Sequence, residues 1–209
     1  MSQAARRSHA ERTDLSDRRM FEAAVRLIIE KGADKTTLKE VGEAAGYSRG
    51  LAGYRFGSKP GLFEFIVHTV GEEWLTDLKR ATEGRAGLEA IGAAVDEHCR
   101  FCLEAPDAVR AFYILWFESL ALDGGEVKRV IASIHERRRR DVIDWIERAD
   151  YGGPVAPAAV ADQFTAAVVG IAYQWLLDPA DEARVRSLHE HLKHTMQLYF
   201  AEGAAAAPV

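Results

Sequence analysis

The chain has 209 residues, 48% of them hydrophobic and 28% charged, which is the composition of a folded soluble protein with one sizeable core. Its formal net charge of −5 argues against general binding to nucleic acid, but that charge is unevenly divided. Residues 1–60 hold 12 Lys and Arg against 8 Asp and Glu, whereas residues 61–209 hold 15 against 24. This asymmetry favours a small basic head that contacts DNA and an acidic body that DNA repels.

Simple features of the chain argue against membrane and secreted proteins. The most apolar window, residues 164–177, is too short for a membrane span and contains Gln174. The first residues are polar and include arginine, with no apolar segment behind them, so we expect no signal peptide. Two cysteines do not make a secreted disulfide scaffold. We therefore expect a soluble, cytoplasmic protein with no cofactor.

The N-terminal region predicts an arm followed by a helix. Residues 1–13 are polar and predict a flexible basic arm that carries Arg6, Arg7 and Arg12. Residues 15–31 then place apolar side chains at helical spacing, and Gly32 ends that helix.

The next segment has the pattern of two short helices joined by a tight turn. Thr37 predicts an N-cap, and Glu40 three residues later completes a capping box. Gly46 ends this helix, because a glycine adopts a left-handed backbone at little steric cost. Ser48 predicts the cap of a second helix that runs to about Phe56. Residues 14–57 therefore predict a helix-turn-helix domain, whose second helix lies in the DNA major groove.

The remainder of the chain is entirely helical in pattern, and no alternating β pattern or internal repeat is visible. Glycine and proline clusters separate the helices. We predict an all-α protein of about nine helices, with a body at 58–202 for ligand binding and dimerisation and a disordered tail at 203–209. The body helices are predicted at 59–80, 88–104, 107–122, 126–149, 157–177 and 181–201.

The second helix of the motif carries side chains suited to reading DNA. Arg49 is the best base reader, because a guanidinium can bond both acceptors of guanine. Gly50 would let the backbone approach the duplex, and Tyr54 and Arg55 can reach phosphates or base edges. Lys59 opposes the dipole of the helix that it begins, so a phosphate nearby would suit it. The alternative is that these are solvated polar residues on a helix-turn-helix used only for packing.

These residues also carry a family resemblance. The segment TTLKEVGEAAGYSRG, followed by F-G-S-K-x-x-L, resembles the DNA-binding head of the tetracycline-repressor (TetR) family of bacterial transcriptional regulators. The resemblance implies a homodimer that binds a palindromic operator and a small inducer. Where the family commonly has T-L-Y, this chain has Leu51, Ala52 and Gly53, so one tyrosine contact with phosphate is missing. The DNA-contacting residues predicted from the pattern and the resemblance are Thr37, Lys39, Ser48, Arg49, Gly50, Leu51, Tyr54, Arg55 and Lys59.

The last two predicted helices, about 157–177 and 181–201, suggest a dimer interface. The first has small residues that permit close helix approach, and the second has a seam of apolar residues at bundle spacing. Two such helices from each subunit would form a four-helix bundle. The alternative is that both helices belong to the internal core. The seam residues are Val185, Leu188, Leu192, Thr195 and Tyr199.

The body also offers residues for an apolar ligand cavity. The run 112–117 is apolar nearly all round its helix and must be central. Arg138 falls on the apolar stripe of its helix, so it needs either an internal carboxylate such as Glu118 or a ligand carboxylate or phosphate. A filled core is the other interpretation of the aromatic residues. The predicted ligand-binding residues are His98, Phe101, Cys102, Phe112, Trp116, Arg138, Trp145 and Tyr173.

The cysteine pair suggests a second class of function. Cys99 and Cys102 form a C-x-x-C with His98 beside them, which is the basis of an alternative thiol-responsive or metal-responsive transcriptional sensor. The motif falls in mid-helix and lacks further zinc ligands at a clear spacing, so buried structural cysteine is the simpler interpretation. No serine, histidine and aspartate order and no paired carboxylates stand out, so we predict no enzyme. The principal hypothesis is a repressor released from its operator by a small apolar or acidic inducer.

Overall fold

A computed structural model of the protein describes residues 9–121 and 125–204, with side chains from 10 to 201. The described residues form nine α-helices and no strand, as the pattern predicts. The helices are α1 (His9–Lys31), α2 (Leu38–Ala44), α3 (Leu51–Phe56), α4 (Lys59–Thr82), α5 (Gly87–Glu104), α6 (Pro106–Ser119), α7 (Glu126–Glu147), α8 (Pro157–Leu177) and α9 (Glu182–Ala204).

The first helix begins earlier than the sequence pattern indicates. α1 starts at His9, so residues 9–13 of the predicted flexible arm are helical. These residues include Ala10, Glu11 and Arg12, which have high helix propensity but supply no apolar periodicity from which a helix would be predicted. Arg6 and Arg7 of the predicted arm, and residues 205–209 of the predicted tail, lie outside the described residues.

The head is built as the capping and glycine pattern predicts. The Thr37 hydroxyl oxygen accepts from the Glu40 backbone N–H at 3.3 Å, and the Glu40 carboxylate accepts from the Thr37 backbone N–H at 3.1 Å. Gly46 follows α2 with φ +80°, which permits the turn. A β-carbon on Gly42 would lie 2.9 Å from the Ser48 carbonyl oxygen, so this glycine allows α2 to pack close against the turn.

The predicted cap of α3 is wrong. The N-cap position is Gly50, which has no side chain to bond the first helical N–H groups. The Ser48 carbonyl oxygen, not its hydroxyl, accepts from the Leu51 backbone N–H at 3.1 Å. The extra turn of chain between Ser48 and Leu51 starts α3 two residues later than the pattern indicates, and it leaves the Ser48 side chain exposed.

The body is arranged around α4. This helix packs against α5, α6 and α7, and α1 of the head packs against α6, so the head is joined to the body through both α4 and α6. On the surface, the carboxylate of Glu72 on α4 accepts two hydrogen bonds from the guanidinium of Arg137 on α7. None of the helices formed by the described residues has an apolar run long enough to cross a membrane.

The predicted seam of α9 largely belongs to the core of its own chain. Val185 and Leu192 are only 1% and 5% exposed, because α9 packs against α5 and α8 of the same chain. Helix α8 instead leaves one face open, on which the Tyr173 and Leu177 side chains are 56% and 68% exposed. Amphipathic spacing identifies an apolar face but not the helix that covers it.

Candidate nucleic-acid interface and ligand cavity

The outer face of α3 is open to solvent. The Tyr54 side chain is 89% exposed and the Arg49 side chain 73% exposed, while Leu51 is partly buried. A β-carbon added to Gly50 or Gly53 would have no neighbour within 4 Å, so the backbone of this short helix is also accessible. The face thus combines a guanidinium, an aromatic ring and an approachable backbone, which suits contact with base edges and phosphates.

Among the residues that the structure describes, Arg49 pairs with the carboxylate of Glu43 on α2. Glu43 is itself exposed, and an exposed ion pair of this kind contributes about 0–1 kcal/mol. Exchange of Glu43 for a guanine edge therefore costs the head little stability. The pair also holds the guanidinium near the start of α3 in the absence of DNA.

The start of α2 offers two further exposed side chains. Thr37 forms the capping box, and its hydroxyl donates to the Glu40 carboxylate at 2.6 Å. Glu40 also accepts from Lys31 of α1 at 2.5 Å. The hydrogen bonds from Lys31 and Thr37 lower the pKa of Glu40 to about 2. Lys39 is exposed and has no ion pair among the described residues, so its ammonium is available to a phosphate.

Two of the residues predicted to contact DNA also join parts of the head to one another. The Arg55 guanidinium donates to both carboxylate oxygens of Asp17 on α1, at 2.8 and 2.7 Å, and this hydrogen-bonded pair raises the pKa of Arg55. The Lys59 ammonium donates to the Asp34 carbonyl oxygen at 2.6 Å and lies 5.6 Å from the centroid of the Phe63 ring. Both interactions join segments distant in the chain, which residue spacing does not reveal.

A small aromatic cavity lies between α4, α6 and α7 in the body. Its polar members are Arg138 and His135 of α7 and Tyr113 of α6. The Arg138 guanidinium carbon lies 5.5 Å from the centroid of the Trp74 ring on α4. The apolar side chains that complete the lining are Trp74, Phe101, Phe112, Trp116 and Ile134, with Gly71.

Arg138 is buried, as its place on the apolar stripe predicts, but its predicted carboxylate partner is wrong. Glu118 lies near Asp34 and Lys59 at the junction of head and body, where burial raises its pKa. Arg138 is only 3% exposed and donates through Nη2 to Nδ1 of His135 at 2.9 Å. Its Nε has no hydrogen-bond partner in the described part of the chain.

Comparison with known proteins identifies the head. The family described as "Bacterial regulatory proteins, tetR family" matches residues 21–66, which include all of α2 and α3. A relative from Bacillus subtilis strain 168, the uncharacterized HTH-type transcriptional regulator YfiR, is 32% identical over 87 residues, which is 42% of this chain and 42% of the relative. The head of this chain belongs to the TetR family. It is a helix-turn-helix DNA-binding domain of a kind found in bacterial regulatory proteins.

Solved structures extend the TetR-family likeness to the fold of the body. A transcriptional regulator from Rhodococcus sp. Rha1 has a TM-score of 0.72 at 20% identity and covers 93% of this chain and 98% of its own. A SmeT–triclosan complex has a TM-score of 0.70 at 21% identity and covers 93% and 98%. NalD, described as the secondary repressor of the MexAB-OprM multidrug efflux pump in Pseudomonas aeruginosa, has a TM-score of 0.69 at 21% identity and covers 90% and 96%.

The helical body brings together only some of the predicted ligand residues. Phe101, Phe112, Trp116 and Arg138 all line the aromatic cavity. Two of the others face different surfaces. Trp145 borders a separate groove between α4 and α7, and Tyr173 borders a shallow groove on the open face of α8. The cavity residues that the sequence prediction did not include are Gly71, Trp74, Tyr113, Ile134 and His135.

His98 lies behind the cavity in a buried hydrogen-bond chain. The His189 Nδ1 lies 2.7 Å from the Val185 carbonyl oxygen and must donate to it, so its Nε2 accepts. That Nε2 lies 2.8 Å from His98 Nδ1, which therefore donates, and His98 Nε2 accepts from the Tyr113 hydroxyl at 3.0 Å. These are the tautomers of two neutral imidazoles, and burial favours the neutral form because it lowers the pKa of each.

The two cysteines occupy different surroundings. Cys102 is buried, and burial raises the pKa of its thiol, whereas Cys99 is half-buried. The ligand atoms of His98, Cys102 and His189 lie within 4.8 Å of one another, so the group that could hold a metal includes His189 in place of Cys99. His189 lies 91 residues after His98, and no local spacing in the sequence indicates that the two meet.

Proposed function

We propose that this TetR-family regulator is a homodimeric repressor that binds a palindromic operator and leaves it when a small molecule binds in the helical body. The observation that carries the proposal is the solvent-exposed face of α3. There Arg49, in the turn just before α3, and Tyr54, on the helix itself, are exposed, and the outer backbone is also accessible. A helix presented in this way after a tight turn suits insertion into the major groove.

The proposed contacts divide into those that read sequence and those that bind phosphate. We assign Arg49 to guanine, and this is supported by its exposure and by the exposed backbone around Gly50, which permits close approach. Thr37 and Lys39 at the start of α2, and Tyr54 on α3, are placed to contact phosphates. Arg55 and Lys59 support the DNA-binding face indirectly, because the Arg55 guanidinium holds α1 in position and the Lys59 ammonium holds the α1–α2 loop.

The open face of α8 supports dimerisation. Ala166, Gly170, Tyr173 and Leu177 recur at steps of four, three and four residues, so they lie along one side of the helix. Ala166 and Gly170 are small residues, and the C-terminal half of the same side of α8 carries the exposed Tyr173 and Leu177. A second copy related by a two-fold axis could cover the stripe and place two α3 helices on one DNA duplex.

The body supports the release of DNA by a ligand. Among the structures with this fold, one is a complex with triclosan and another is the repressor of an efflux pump. In this chain the aromatic cavity touches α4, and α4 begins at Lys59 beside the DNA-binding head. A ligand that favours a different position of α4 would shift the population away from the DNA-binding arrangement.

Selection of DNA from a randomised library by the full-length protein tests the proposal. We expect enrichment of an inverted repeat whose half-sites lie about 10 base pairs apart, or a multiple of that spacing. The Arg49→Ala variant, selected in parallel, is expected to enrich no common half-site. Failure of the unmodified chain to enrich any sequence would contradict operator binding. A site without inverted symmetry would contradict the dimer.

The alternative is a metal-responsive regulator, and the geometry of His98, Cys102 and His189 favours it over a purely thiol-based sensor. His189 Nδ1 already donates to the Val185 carbonyl oxygen, as the second nitrogen of a metal-ligating histidine commonly does. His98 would have to move its proton to Nε2 and donate to the Tyr113 hydroxyl for its Nδ1 to bind a metal. Zn²⁺ titration of the purified apo-protein, with His189→Gln as the control variant, distinguishes this function. Stoichiometric Zn²⁺ binding that is lost in His189→Gln and that changes operator affinity would favour the metal sensor.

A further inference from the structure

Arg138 is a buried cation for which the described part of the chain supplies no anion. Its guanidinium contacts the neutral Nδ1 of His135 and the face of Trp74, and its Nε donates to nothing. Two acidic residues, Glu72 and Glu73, directly precede Trp74 on α4. The Glu72 carboxylate is paired with Arg137 on the surface. An unpaired charge is strongly disfavoured in a protein interior, so an anion from outside the chain would stabilise the buried Arg138 guanidinium.

The charge of that anion follows from the neighbours of Arg138. Burial and the Arg138 charge lower the pKa of His135 to about 4, so this imidazole is neutral at pH 7. Burial raises the pKa of Tyr113, so its phenol is also uncharged. The cavity therefore holds a single positive charge, which one carboxylate balances. A phosphate monoester would add about −1.5 to −2 and leave a net negative charge buried.

The shape of the guanidinium also favours a carboxylate. Arginine presents its N–H groups in a planar fork that matches the two oxygens of a carboxylate. Most of the remaining lining is aromatic and comes from Trp74, Phe101, Phe112 and Trp116. Flat apolar walls of this kind suit a ring more than a polar body.

The cavity is closed in this structure. The space between its side chains is about 10 Å³, which is room for about one water molecule. Closure depends on Gly71 of α4, because the Ile134 side chain of α7 lies where a β-carbon of Gly71 would be. A ring can enter only if the cavity expands, and separation of α4 and α7 at this contact would expand it.

We propose that Arg138 is the receptor of a compact aromatic carboxylate, which binds in an expanded form of this cavity and separates α4 from α7. The inference rests on the proposed function, because it names the class of ligand and the helices that the ligand displaces. It narrows the inducer from apolar or acidic molecules to acids with a ring. It also assigns the loss of DNA binding to the α4–α7 contact.

Binding of benzoate, salicylate and phenylacetate to the full-length protein tests the inference, with benzamide as the neutral control. Trp74 and Trp116 line the cavity, so tryptophan fluorescence reports occupancy, and thermal unfolding gives an independent measure. We expect at least one of the acids to quench fluorescence saturably and to raise the melting temperature, and benzamide to do neither. Absence of binding by all three acids at millimolar concentration would overturn the inference.

Three substitutions assign the binding to Arg138. Arg138→Met removes the charge but keeps an unbranched side chain, and we expect it to weaken acid binding by about tenfold or more. Arg138→Lys keeps the positive charge but not the planar fork of N–H groups, and it is expected to bind the acid with intermediate affinity. This variant replaces Arg138→Met in the test if the methionine variant does not fold. Arg140→Gln, on the exposed side of α7, is expected to bind as the unmodified chain does. Unchanged affinity in Arg138→Met would overturn the inference, as would an equal loss in Arg140→Gln.

Operator binding separates this inference from the proposed function. The DNA site selected by the unmodified protein is titrated with and without the acid that binds best. Release of DNA by the acid, absent in Arg138→Met, supports the inference. Intact sequence-specific DNA binding with no effect of any acid overturns the inference alone. Loss of specific DNA binding in the unmodified protein overturns the proposed function.

Discussion

Gly71 of α4 lies directly against the side chain of Ile134 of α7, with no room between them for even one additional methyl group. This contact sets the separation of the two helices beside the aromatic cavity. Alanine at position 71 would force α4 and α7 apart or push the isoleucine out of its rotamer. We expect Gly71→Ala to lower the free energy of unfolding by about 1–3 kcal/mol, measured by urea denaturation.

Two further variants test the cause of that loss. Gly71→Ala combined with Ile134→Val is expected to recover part of the stability, since valine lacks the Cδ1 atom with which the new β-carbon would overlap. Gly92→Ala on α5 is the matched control, because a β-carbon there meets nothing within 4 Å. We expect it to raise the free energy of unfolding by about 0.4–1 kcal/mol. A stable Gly71→Ala variant would show that the helices are not closely packed in solution.

Arg49 and Lys39 are expected to contribute differently to DNA binding. Arg49→Ala is expected to reduce discrimination between the operator and a half-site mutant by about 1–3 kcal/mol, because a bidentate contact with guanine is lost. Lys39→Ala is expected to weaken binding to all sequences similarly and to reduce the salt slope by about one. Fluorescence anisotropy at several salt concentrations measures both quantities. An equal loss on specific and random DNA for Arg49→Ala would contradict its assigned role.

The open face of α8 is expected to control assembly. Tyr173→Glu introduces a charge into the proposed two-fold interface, so we expect a monomer by size-exclusion chromatography with light scattering. Leu120→Glu, at a similarly exposed apolar residue beyond α6, is the control and is expected to remain dimeric. The monomeric variant is also expected to lose most of its operator affinity, since one head alone contacts one half-site. A dimeric Tyr173→Glu variant would place the interface elsewhere.

His135 is expected to make the folded protein sensitive to acid. Its pKa is lowered from 6.5 to about 4 in the folded state, so between these values the unfolded chain binds a proton that the folded chain does not. The free energy of unfolding is therefore expected to fall as pH decreases from about 6.5 to about 4. His135→Gln keeps an acceptor for Arg138 and is expected to reduce proton uptake on unfolding by about one.

The control for this pH dependence is His194→Gln, since His194 is exposed on α9. Denaturant midpoints measured across this pH range for the unmodified chain and both variants give the difference in proton uptake. A slope in His135→Gln equal to that of the unmodified chain would show that His135 titrates normally in the folded state.

The elements that follow from local rules could be predicted from sequence. The capping box at Thr37 and Glu40, the turn at Gly46 and the inward position of Arg138 each depend on a spacing of a few residues. Such features are fixed by the geometry of a single helix or turn. The helix count and the all-α class follow for the same reason.

Contacts between distant segments could not be predicted in this way. Periodicity shows that Arg138 faces inward, but only the packing of α4 on α7 brings it to Trp74 rather than to Glu118. Likewise the position of Arg55 on α3 predicts a contact with DNA, but it does not reveal the ion pair with Asp17, which α1 presents beside it. A cationic side chain has no sequence signature that separates a structural ion pair from a contact with DNA.

The continuity of α4 gives the protein a lever with known dimensions. Lys59, at its first residue, holds the Asp34 carbonyl oxygen of the head, and Trp74 lies under the Arg138 guanidinium in the body. At 1.5 Å per residue these two points are about 22 Å apart along the axis. A tilt of about 5° about the Trp74 end would move the other end by about 2 Å. In a symmetric dimer the Lys59 end of α4 would move in both subunits, so the distance between the two heads would change. An ångström-scale change at the cavity then becomes a mismatch between that distance and the fixed repeat of the double helix.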